Sequence, residues 1–264
     1  MRSDLDEVRA SWEQRAAEFG PTLSGVLLRN LSEDANRAIG DWTASVVRDA
    51  LLPELRDGAS VLDLGCGYGR LSTLIEAERP DVRLTGQDLS LGYCRQYRAD
   101  ARPCVVGDVA RVPFADAVFD GVLSVACLMY VPRGDALDAL RGIAALLRPG
   151  GVALILDPGR ELQQWIARVM PRRSASPTGG LGFERAEYRA LGERAGFRVL
   201  REGGNPALSL GLIVPGFAKS RRRAVTSLLA SLGARDRTGG YSRFALHRWL
   251  LLRREHDAAA ENAR

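Results

Sequence analysis

The segment from residue 61 to residue 69 constrains the fold more than any other part of the chain. Val61-Leu62-Asp63-Leu64 is a short apolar run typical of a buried parallel strand, and Gly65-Cys66-Gly67-Tyr68-Gly69 follows it directly. Three glycines in five residues permit a tight turn whose main chain can lie against a ligand. The helix after such a turn directs free N–H groups at the same place. We therefore predict a strand, a turn and a helix with a binding site at the turn.

Apolar runs and helical patterns then alternate along most of the chain. The predicted strands cover residues 61–64, 82–87, 104–106, 119–125, 152–156, 197–200 and 244–252. The predicted helices cover residues 5–19, 34–52, 70–78, 90–100, 135–147, 161–170, 184–195 and 217–232. This alternation predicts an α/β fold with a parallel sheet and helices on both of its faces.

Two details of the glycine turn bear on the cofactor. Its spacing is GxGxG, whereas the dinucleotide fingerprint is GxGxxG. Asp63 also lies two residues before the first glycine, where a carboxylate would repel a pyrophosphate. S-adenosylmethionine (SAM) has no phosphate and carries an ammonium group at its methionine end. We therefore expect SAM rather than NAD, against the alternative of a structural turn with a solvated Asp63.

Two more acids follow the next two strands. Asp88 ends the second strand, where a carboxylate can accept hydrogen bonds from both hydroxyls of a ribose. Asp108 follows the third strand, where its side chain can accept from an adenine amino group while the Val109 N–H donates to a ring nitrogen. Each acid alone is more often a cap or a turn residue, but three at the ends of three successive strands indicate a nucleoside site.

With these segments the chain resembles the class I SAM-dependent methyltransferases, in particular the small-molecule branch related to quinone and secondary-metabolite enzymes. The matching segments are VLDLGCGYGRLS (61–72), LTGQDLS (84–90), VVGDVARVPFADAVFDGVLSVACLMYV (105–131), LRGIAALLRPGGVALILDP (140–158) and FERAEYRALGERAGFRVL (183–200). The resemblance implies a Rossmann-like seven-stranded sheet of order 3-2-1-4-5-7-6, with strand 7 antiparallel and a small helical cap. It also implies an N-terminal helical lid (1–56) that carries Trp12, Arg15 and Phe19, and a methyltransferase domain (57–264) with cap insertions near 158–182 and 203–242.

The resemblance assigns cofactor contacts to the glycine turn, to the strand ends and to the residues after the fourth strand. The expected contacts are Asp63, Gly65, Cys66, Gly67, Gly69, Asp88, Leu89, Asp108, Val109, Ser124, Val125 and Ala126. Many relatives carry histidines after the fourth strand, where this chain has Met129-Tyr130. Tyr130 is therefore the catalytic candidate, with the alternative that it only packs against the lid. We expect transfer driven mainly by alignment of the reactants.

The acceptor is a small molecule on this reading, with its pocket built by the lid (1–30) and by segments 158–182 and 203–242. Apolar residues there are followed by Arg172-Arg173 and by Lys219 to Arg223, which suits an amphiphilic or anionic acceptor or contact with a membrane surface. The alternative is a cap with its own core and solvated arginines. The acidic N-terminus and the absence of long apolar runs predict a cytoplasmic protein. The four cysteines form no CxxC pair and there are two histidines, so we expect no metal site.

Two other functions remain open on the sequence. One is methylation of RNA or another nucleic acid, which the arginine clusters permit; we expect no nucleic acid partner, because the chain has no [DNS]PP[YFW] tetrapeptide and no appended binding domain. The other is a non-catalytic SAM-binding regulatory protein, since an intact cofactor site does not require turnover.

Overall fold

The computed structural model describes residues 2–169, 180–214, 216–238 and 243–255. Met170, Arg172-Arg173 and the tail from His256 onward lie outside the described residues, as do most of the predicted loop before Gly182 and positions 239–242. None of the helices in the described ranges has both the length and the apolar character that crossing a membrane requires.

A seven-stranded sheet with the predicted strand order forms the centre of the molecule. The strands are β1 (Ser60–Leu64), β2 (Arg83–Asp88), β3 (Cys104–Val106), β4 (Phe119–Val125), β5 (Leu147–Pro158), β6 (Phe197–Gly204) and β7 (His247–Arg254). They lie in the order β3-β2-β1-β4-β5-β7-β6. The first five run parallel, and β7 is antiparallel to both of its neighbours. Both the order and the reversed last strand are as expected for the Rossmann-like fold.

Helices cover both faces of the sheet. They are α1 (Arg2–Phe19), α2 (Leu23–Val26), α3 (Glu33–Val46), α4 (Arg70–Glu78), α5 (Leu91–Arg98), α6 (Ala136–Leu146), α7 (Arg160–Val169), α8 (Arg185–Arg194), α9 (Pro206–Ile213) and α10 (Arg223–Arg235). Successive residues of a strand point to opposite faces. Leu154 therefore packs with Trp42 and Ile75 on one face, while Ile155 packs with Leu140 on the other.

Several predicted boundaries were wrong. The helix predicted over 34–52 is α-helical only to Val46 and then widens into a π turn, Val47–Leu51, before a 3-10 turn. The helix predicted over 217–232 is a short 3-10 turn at Phe217–Lys219 followed by α10. Strand β5 begins at Leu147, five residues earlier than predicted, and its pairing with β4 shifts register at this point. The last strand begins at His247 rather than at residue 244.

Helix α9 was not predicted. Its sequence is PALSLGLI, in which leucines alternate with small residues and resemble a strand as much as a helix. Pro206 occupies the first turn, where a missing N–H leaves no intrahelical bond unmade. Residues of α9 and α10 pack on α3, so the insertion joins the core on the same face as the N-terminal helices.

Candidate functional site

A cavity lies where the carboxyl ends of the central parallel strands meet the N-terminal helices. Of the predicted cofactor contacts, all but two border it: Asp63, Gly65, Cys66, Gly67, Asp88, Leu89, Asp108, Val109, Val125 and Ala126. Tyr130 also borders it. Ligands of open parallel sheets bind at this edge, because successive βα turns converge there. The fold therefore brings residues from four separate turns to one site.

The glycine turn approaches the cavity through backbone that only glycine adopts without strain. Gly65 and Gly67 have φ angles of 76° and 54°. A Cβ atom at Gly65 would overlap Cys127 Sγ, and one at Gly67 would lie 3.0 Å from Val26 Cγ1 in the lid. The Gly65 and Cys66 N–H groups donate to the Gln87 carbonyl at 2.7 and 3.0 Å. These hydrogen bonds fix the turn against β2, and Gly65, Cys66 and Gly67 border the cavity.

Asp63 is buried at the cavity wall behind the glycine turn. Its Oδ2 accepts a hydrogen bond of 2.7 Å from Ser72 Oγ, which in turn lies 2.9 Å from Tyr97 Oη. Burial raises the pKa of Asp63 to about 6. Because burial disfavours the ionised form of Asp63, a cation that enters the cavity would stabilise that ionised form.

Asp88 is bound from two sides by backbone N–H groups. Its Oδ2 accepts from Gly67 N at 2.8 Å, and its Oδ1 accepts from Ser90 N at 2.9 Å. Each oxygen keeps a second lone pair, so the carboxylate can still accept from two hydroxyl groups. Burial raises the pKa of Asp88 to about 6. The hydrogen bonds hold the carboxylate in one orientation at the end of β2.

Asp108 and Val109 form the opposite end of this wall. Asp108 Oδ1 accepts from Ala110 N at 3.0 Å, and its carbonyl accepts from Gln87 Nε2 at 3.0 Å. Gln87 also borders the cavity, and its Oε1 is buried with no hydrogen-bond partner among the described residues. The sequence did not indicate Gln87, although it lies one residue before Asp88.

The geometry leaves Gly69 and Ser124 outside the lining of the cavity. Gly69 has a φ of 90° at the start of α4, and a Cβ atom there would lie 2.7 Å from Arg102 Nη1. Its requirement for glycine therefore comes first from the left-handed backbone conformation, with the Arg102 and Tyr97 side chains packed beneath the turn. Ser124 is fully buried within β4.

The N-terminal helix covers the cavity through a cluster of aromatic and charged side chains. Trp12 makes edge-to-face contacts with Tyr93 and Tyr130 at ring-centroid distances of 6.2 and 5.9 Å. Arg15 lies over the Trp12 ring and donates to the carbonyls of Ser24 and Leu27 at 2.9 and 2.6 Å. Tyr130 therefore contacts the lid while it borders the cavity.

A buried carboxylate holds the turn that carries Tyr130. Asp157 Oδ1 accepts from the Met129 N–H at 3.1 Å, and its Oδ2 accepts from Tyr188 Oη at 2.7 Å. This pairing fixes the turn after β4 to the end of β5.

The far end of the cavity is built from residues that the sequence did not indicate. Ile39 and Thr43 of α3, Arg70 of α4, Leu156 of β5 and His247 of β7 border it. Within the described ranges, the insertions 158–182 and 203–242 contribute none of the bordering residues, and their part in an acceptor pocket stays a prediction. The N-terminal helices and the turns between them contribute five further bordering residues: Leu5, Val8, Trp12, Val26 and Leu27.

The residues present fit the SAM that the fold implies. A cation can lie beside Asp63, hydroxyl groups can donate to Asp88, and the buried Gln87 Oε1 can accept from a ring amino group near Asp108. Gly65 and Gly67 leave the main chain of the turn without side chains where it borders the cavity. When bound, SAM supplies a methyl group on a positively charged sulfur.

Comparisons with known proteins agree with this site. Residues 61–151 match a family model described as a methyltransferase domain. The chain is 33% identical to a fatty-acid O-methyltransferase of Mycolicibacterium smegmatis over 41% of this chain and 41% of that protein. It is 26% identical to a malonyl-(acyl-carrier protein) O-methyltransferase of Geobacter sulfurreducens over 89% of this chain and 86% of that protein.

The fold is shared with solved methyltransferase structures. A magnesium protoporphyrin IX methyltransferase from Synechocystis with bound S-adenosylhomocysteine superposes with a TM-score of 0.62 at 18% identity, over 96% of this chain and 100% of that chain. Together with the glycine turn and the acids at the strand ends, these matches show a methyltransferase domain over residues 61–151, in a chain with the class I SAM-dependent methyltransferase fold, whose cofactor is SAM.

Proposed function

We propose that the chain transfers the methyl group of SAM to an oxygen atom of a small, largely apolar acceptor. The observation that carries this proposal is a cofactor wall of glycines and acids that continues into an apolar chamber beneath one lid. The relatives quoted above are named as O-methyltransferases, which favours oxygen over nitrogen or carbon as the target atom.

The proposed roles follow the position of each residue. Asp63 and the main chain of Gly65 to Gly67 hold the amino-acid end of the cofactor, Asp88 holds the ribose, and Asp108 with Val109 holds the adenine. Leu89, Val125 and Ala126 pack against its body. Residues 1–56 act as the lid, and residues 57–264 act as the methyltransferase domain.

Alignment within a closed chamber supplies most of the rate. A sulfonium-bound methyl group is already activated, so the chain has to bring the two reacting atoms to about 3–3.5 Å and exclude water. Trp12 and Tyr130 close the chamber above the site by their edge-to-face contact. Tyr130 is the proposed residue for a hydrogen bond to the acceptor.

Binding of S-adenosylhomocysteine to a glycine variant tests the cofactor part of the proposal. Gly65→Ala should reduce affinity at least 100-fold, because the new Cβ overlaps Cys127 Sγ and displaces the turn. Gly58→Ala is a matched control, since Gly58 has a φ of 64° but only Arg83 Nη1, at 3.9 Å, near the added atom. Isothermal titration calorimetry measures both affinities. Equal affinity of the two variants would contradict the assigned turn.

Contact with an anionic membrane surface is a separate proposal for the face around α9 and the start of α10. Leu210 and Val214 are exposed there, and Lys219 and Arg221 to Arg223 are exposed nearby. Exposed apolar side chains beside a basic cluster suit a membrane interface. Flotation with anionic liposomes tests this contact, and the absence of association would exclude it.

A further inference from the structure

Arg70 places a positive charge at the border of an otherwise apolar part of the cavity. It is the first residue of α4, and its Nη1 donates a hydrogen bond of 3.3 Å to the Gly40 carbonyl. Within the described residues it takes part in no ion pair. Burial lowers the pKa of its guanidinium, with Asp63 and Asp41 as the nearby acids. A guanidinium that is partly removed from water without a paired anion is unfavourable, so this position favours an anionic ligand.

His247 borders the same part of the cavity, and its neighbours determine which nitrogen carries the proton. Asn205 Oδ1 accepts from His247 N at 2.9 Å and from Ser209 Oγ at 3.1 Å, which fixes the orientation of the amide. The Asn205 Nδ2 group therefore faces His247 Nδ1, at 3.5 Å, and donates to it. A neutral imidazole whose Nδ1 accepts carries its proton on Nε2.

His247 therefore brings a hydrogen-bond donor, its Nε2–H, rather than a base to the border of the cavity. Burial lowers its pKa to about 4, so the ring is neutral at physiological pH. No hydrogen-bond partner for Nε2 is found among the described residues. The ring stacks on Trp42 of α3 with a centroid distance of 6.1 Å, which fixes its plane.

Helix α3 places Arg70 and His247 around one apolar surface. Ile39 and Thr43 lie one turn apart on the helix and both face the cavity. Gly40, between them, contacts Arg70, while Trp42 contacts His247. A Cβ atom at Gly40 would lie 3.7 Å from Arg70 Nη1, so this approach of the guanidinium to the helix is close but unstrained.

We propose that the acceptor is an apolar carboxylic acid whose carboxylate pairs with Arg70, while the Nε2–H of His247 donates a hydrogen bond to the same molecule. The inference rests on the proposed function and makes it narrower, since it names the acceptor class. Aliphatic walls formed by Leu27, Ile39 and Leu156 would cover the apolar part of the acid. Arg70 is thereby a specificity-determining residue.

The carboxylate of the cofactor's own methionine part has the same chemistry and is the other source of an anion for Arg70. The two sources differ in what Arg70 controls. If Arg70 binds the acceptor, its removal weakens acid binding and leaves the affinity for S-adenosylhomocysteine unchanged. If Arg70 binds the cofactor, its removal lowers the affinity for S-adenosylhomocysteine itself.

Titration calorimetry on the complex with S-adenosylhomocysteine tests the proposal with two probe pairs. These are decanoate with decanamide, and 4-butylbenzoate with 4-butylbenzamide, each pair matched in shape but not in charge. We expect at least one acid to bind about ten-fold more tightly than its amide, which corresponds to ~1.4 kcal/mol. Arg70→Met should abolish this preference, and Arg70→Lys should restore part of it. His247→Phe, which keeps a ring against Trp42, should weaken acid binding about three-fold.

Arg37→Met is the matched control, because Arg37 lies on the exposed side of α3 with 58% of its side chain accessible. It should keep the preference for the acid. The proposal is overturned if neither acid binds more tightly than its amide. It is also overturned if Arg70→Met and Arg70→Lys lower the affinity for S-adenosylhomocysteine as much as they lower the affinity for the acid. Failure of the wild-type chain to bind S-adenosylhomocysteine at all would instead contradict the proposed function.

Discussion

At the scale of single residues, Asp88 couples the glycine turn to the protonation state of the site. The backbone N–H groups of Gly67 and Ser90 both donate to its carboxylate, yet burial still raises its pKa to about 6. In the absence of ligand, a substantial fraction of Asp88 is therefore protonated below pH 6. Hydroxyl donors from a ribose favour the ionised form, so their binding is linked to the release of a proton.

Affinity for S-adenosylhomocysteine should consequently rise between pH 5 and pH 7 and level off above pH 7. One carboxylate with a pKa near 6 gives about a ten-fold change over this range, or ~1.4 kcal/mol. Asp63 has a similarly raised pKa and adds to the slope. The Asp88→Asn variant should bind S-adenosylhomocysteine more weakly, and its affinity should keep only the pH dependence that is due to Asp63. Titrations in buffers with different ionisation enthalpies measure the released protons. An unchanged slope in Asp88→Asn would contradict the assignment.

The same scale shows why some site residues could be predicted and others could not. Asp63, Asp88 and Asp108 each lie at or near the end of a parallel strand, so their positions follow from the alternation of strands and helices. His247 begins a strand instead of ending one. Because β7 is antiparallel, its first residue pairs with Pro158 at the end of β5 and so reaches the ligand-binding edge. The family resemblance implied that the last strand is antiparallel. Nothing in the sequence linked that reversal to His247, which lies 184 positions after Asp63.

At the scale of elements, α1 is attached to the body of the protein by a carboxylate at the start of α5. Glu13 accepts from the N–H of Leu91 and, at 3.1 Å, from that of Gly92. These are free N–H groups in the first turn of α5, where a negative charge is favoured. Glu13 thus acts as a cap supplied by another helix, and it joins the lid to the end of β2.

Glu13→Gln should loosen the lid while leaving the sheet intact. An amide oxygen accepts these hydrogen bonds without the charge, and we expect a loss of about 1 kcal/mol in lid closure, as for other helix caps. Proteolysis within residues 2–32 should become several-fold faster, and affinity for S-adenosylhomocysteine should fall by a similar factor. Glu7→Gln, on an exposed position of the same helix, should change neither. If both variants behave alike, Glu13 does not hold the lid.

Element boundaries were predictable where a strong local signal was present. Ser90, with which the predicted helix over 90–100 begins, caps α5 by accepting from Tyr93 N. Helix α9 lacked such a signal, because its leucines fit either period and its identity depends on packing against α3 and α10. The side of the cavity that α3 borders is likewise set by tertiary packing, which local patterns do not encode.

At the scale of the whole molecule, Asp120 connects segments that are distant in the sequence. At the start of β4 it accepts from Arg56 Nε at 2.8 Å and from the Ser60 N–H of β1 at 2.8 Å, and it pairs with Arg148 of β5 at 2.9 Å. Burial acts to raise its pKa, but the hydrogen bonds from Arg56 and Ser60 prevail and hold the pKa below its usual value. The carboxylate therefore stabilises the fold at neutral pH.

Asp120→Asn should lower the free energy of unfolding at pH 7 by about 1–3 kcal/mol, toward the lower end because both arginines are partly exposed. A depressed pKa gives stability that is present above the unfolded value near 3.8 and is lost as the pH falls through the folded value. The difference between wild type and variant should accordingly shrink in acid. Urea unfolding measures it, with Asp116→Asn, an exposed position, as the control. A gap that persists unchanged below pH 3 would refute this account.

The cofactor wall of the cavity and the wall bordered by α3 come largely from different parts of the chain, which affects how this fold can acquire new acceptors in evolution. Most of the cofactor wall comes from residues 61–130, which also hold Arg70, whereas Leu27, Ile39, Thr43, Leu156 and His247 come from either side of that stretch. Substitutions in the flanking segments can therefore alter which molecule is accepted without disturbing the shared reagent. A protein with this fold can therefore change its acceptor through single substitutions, each of which leaves the cofactor site intact.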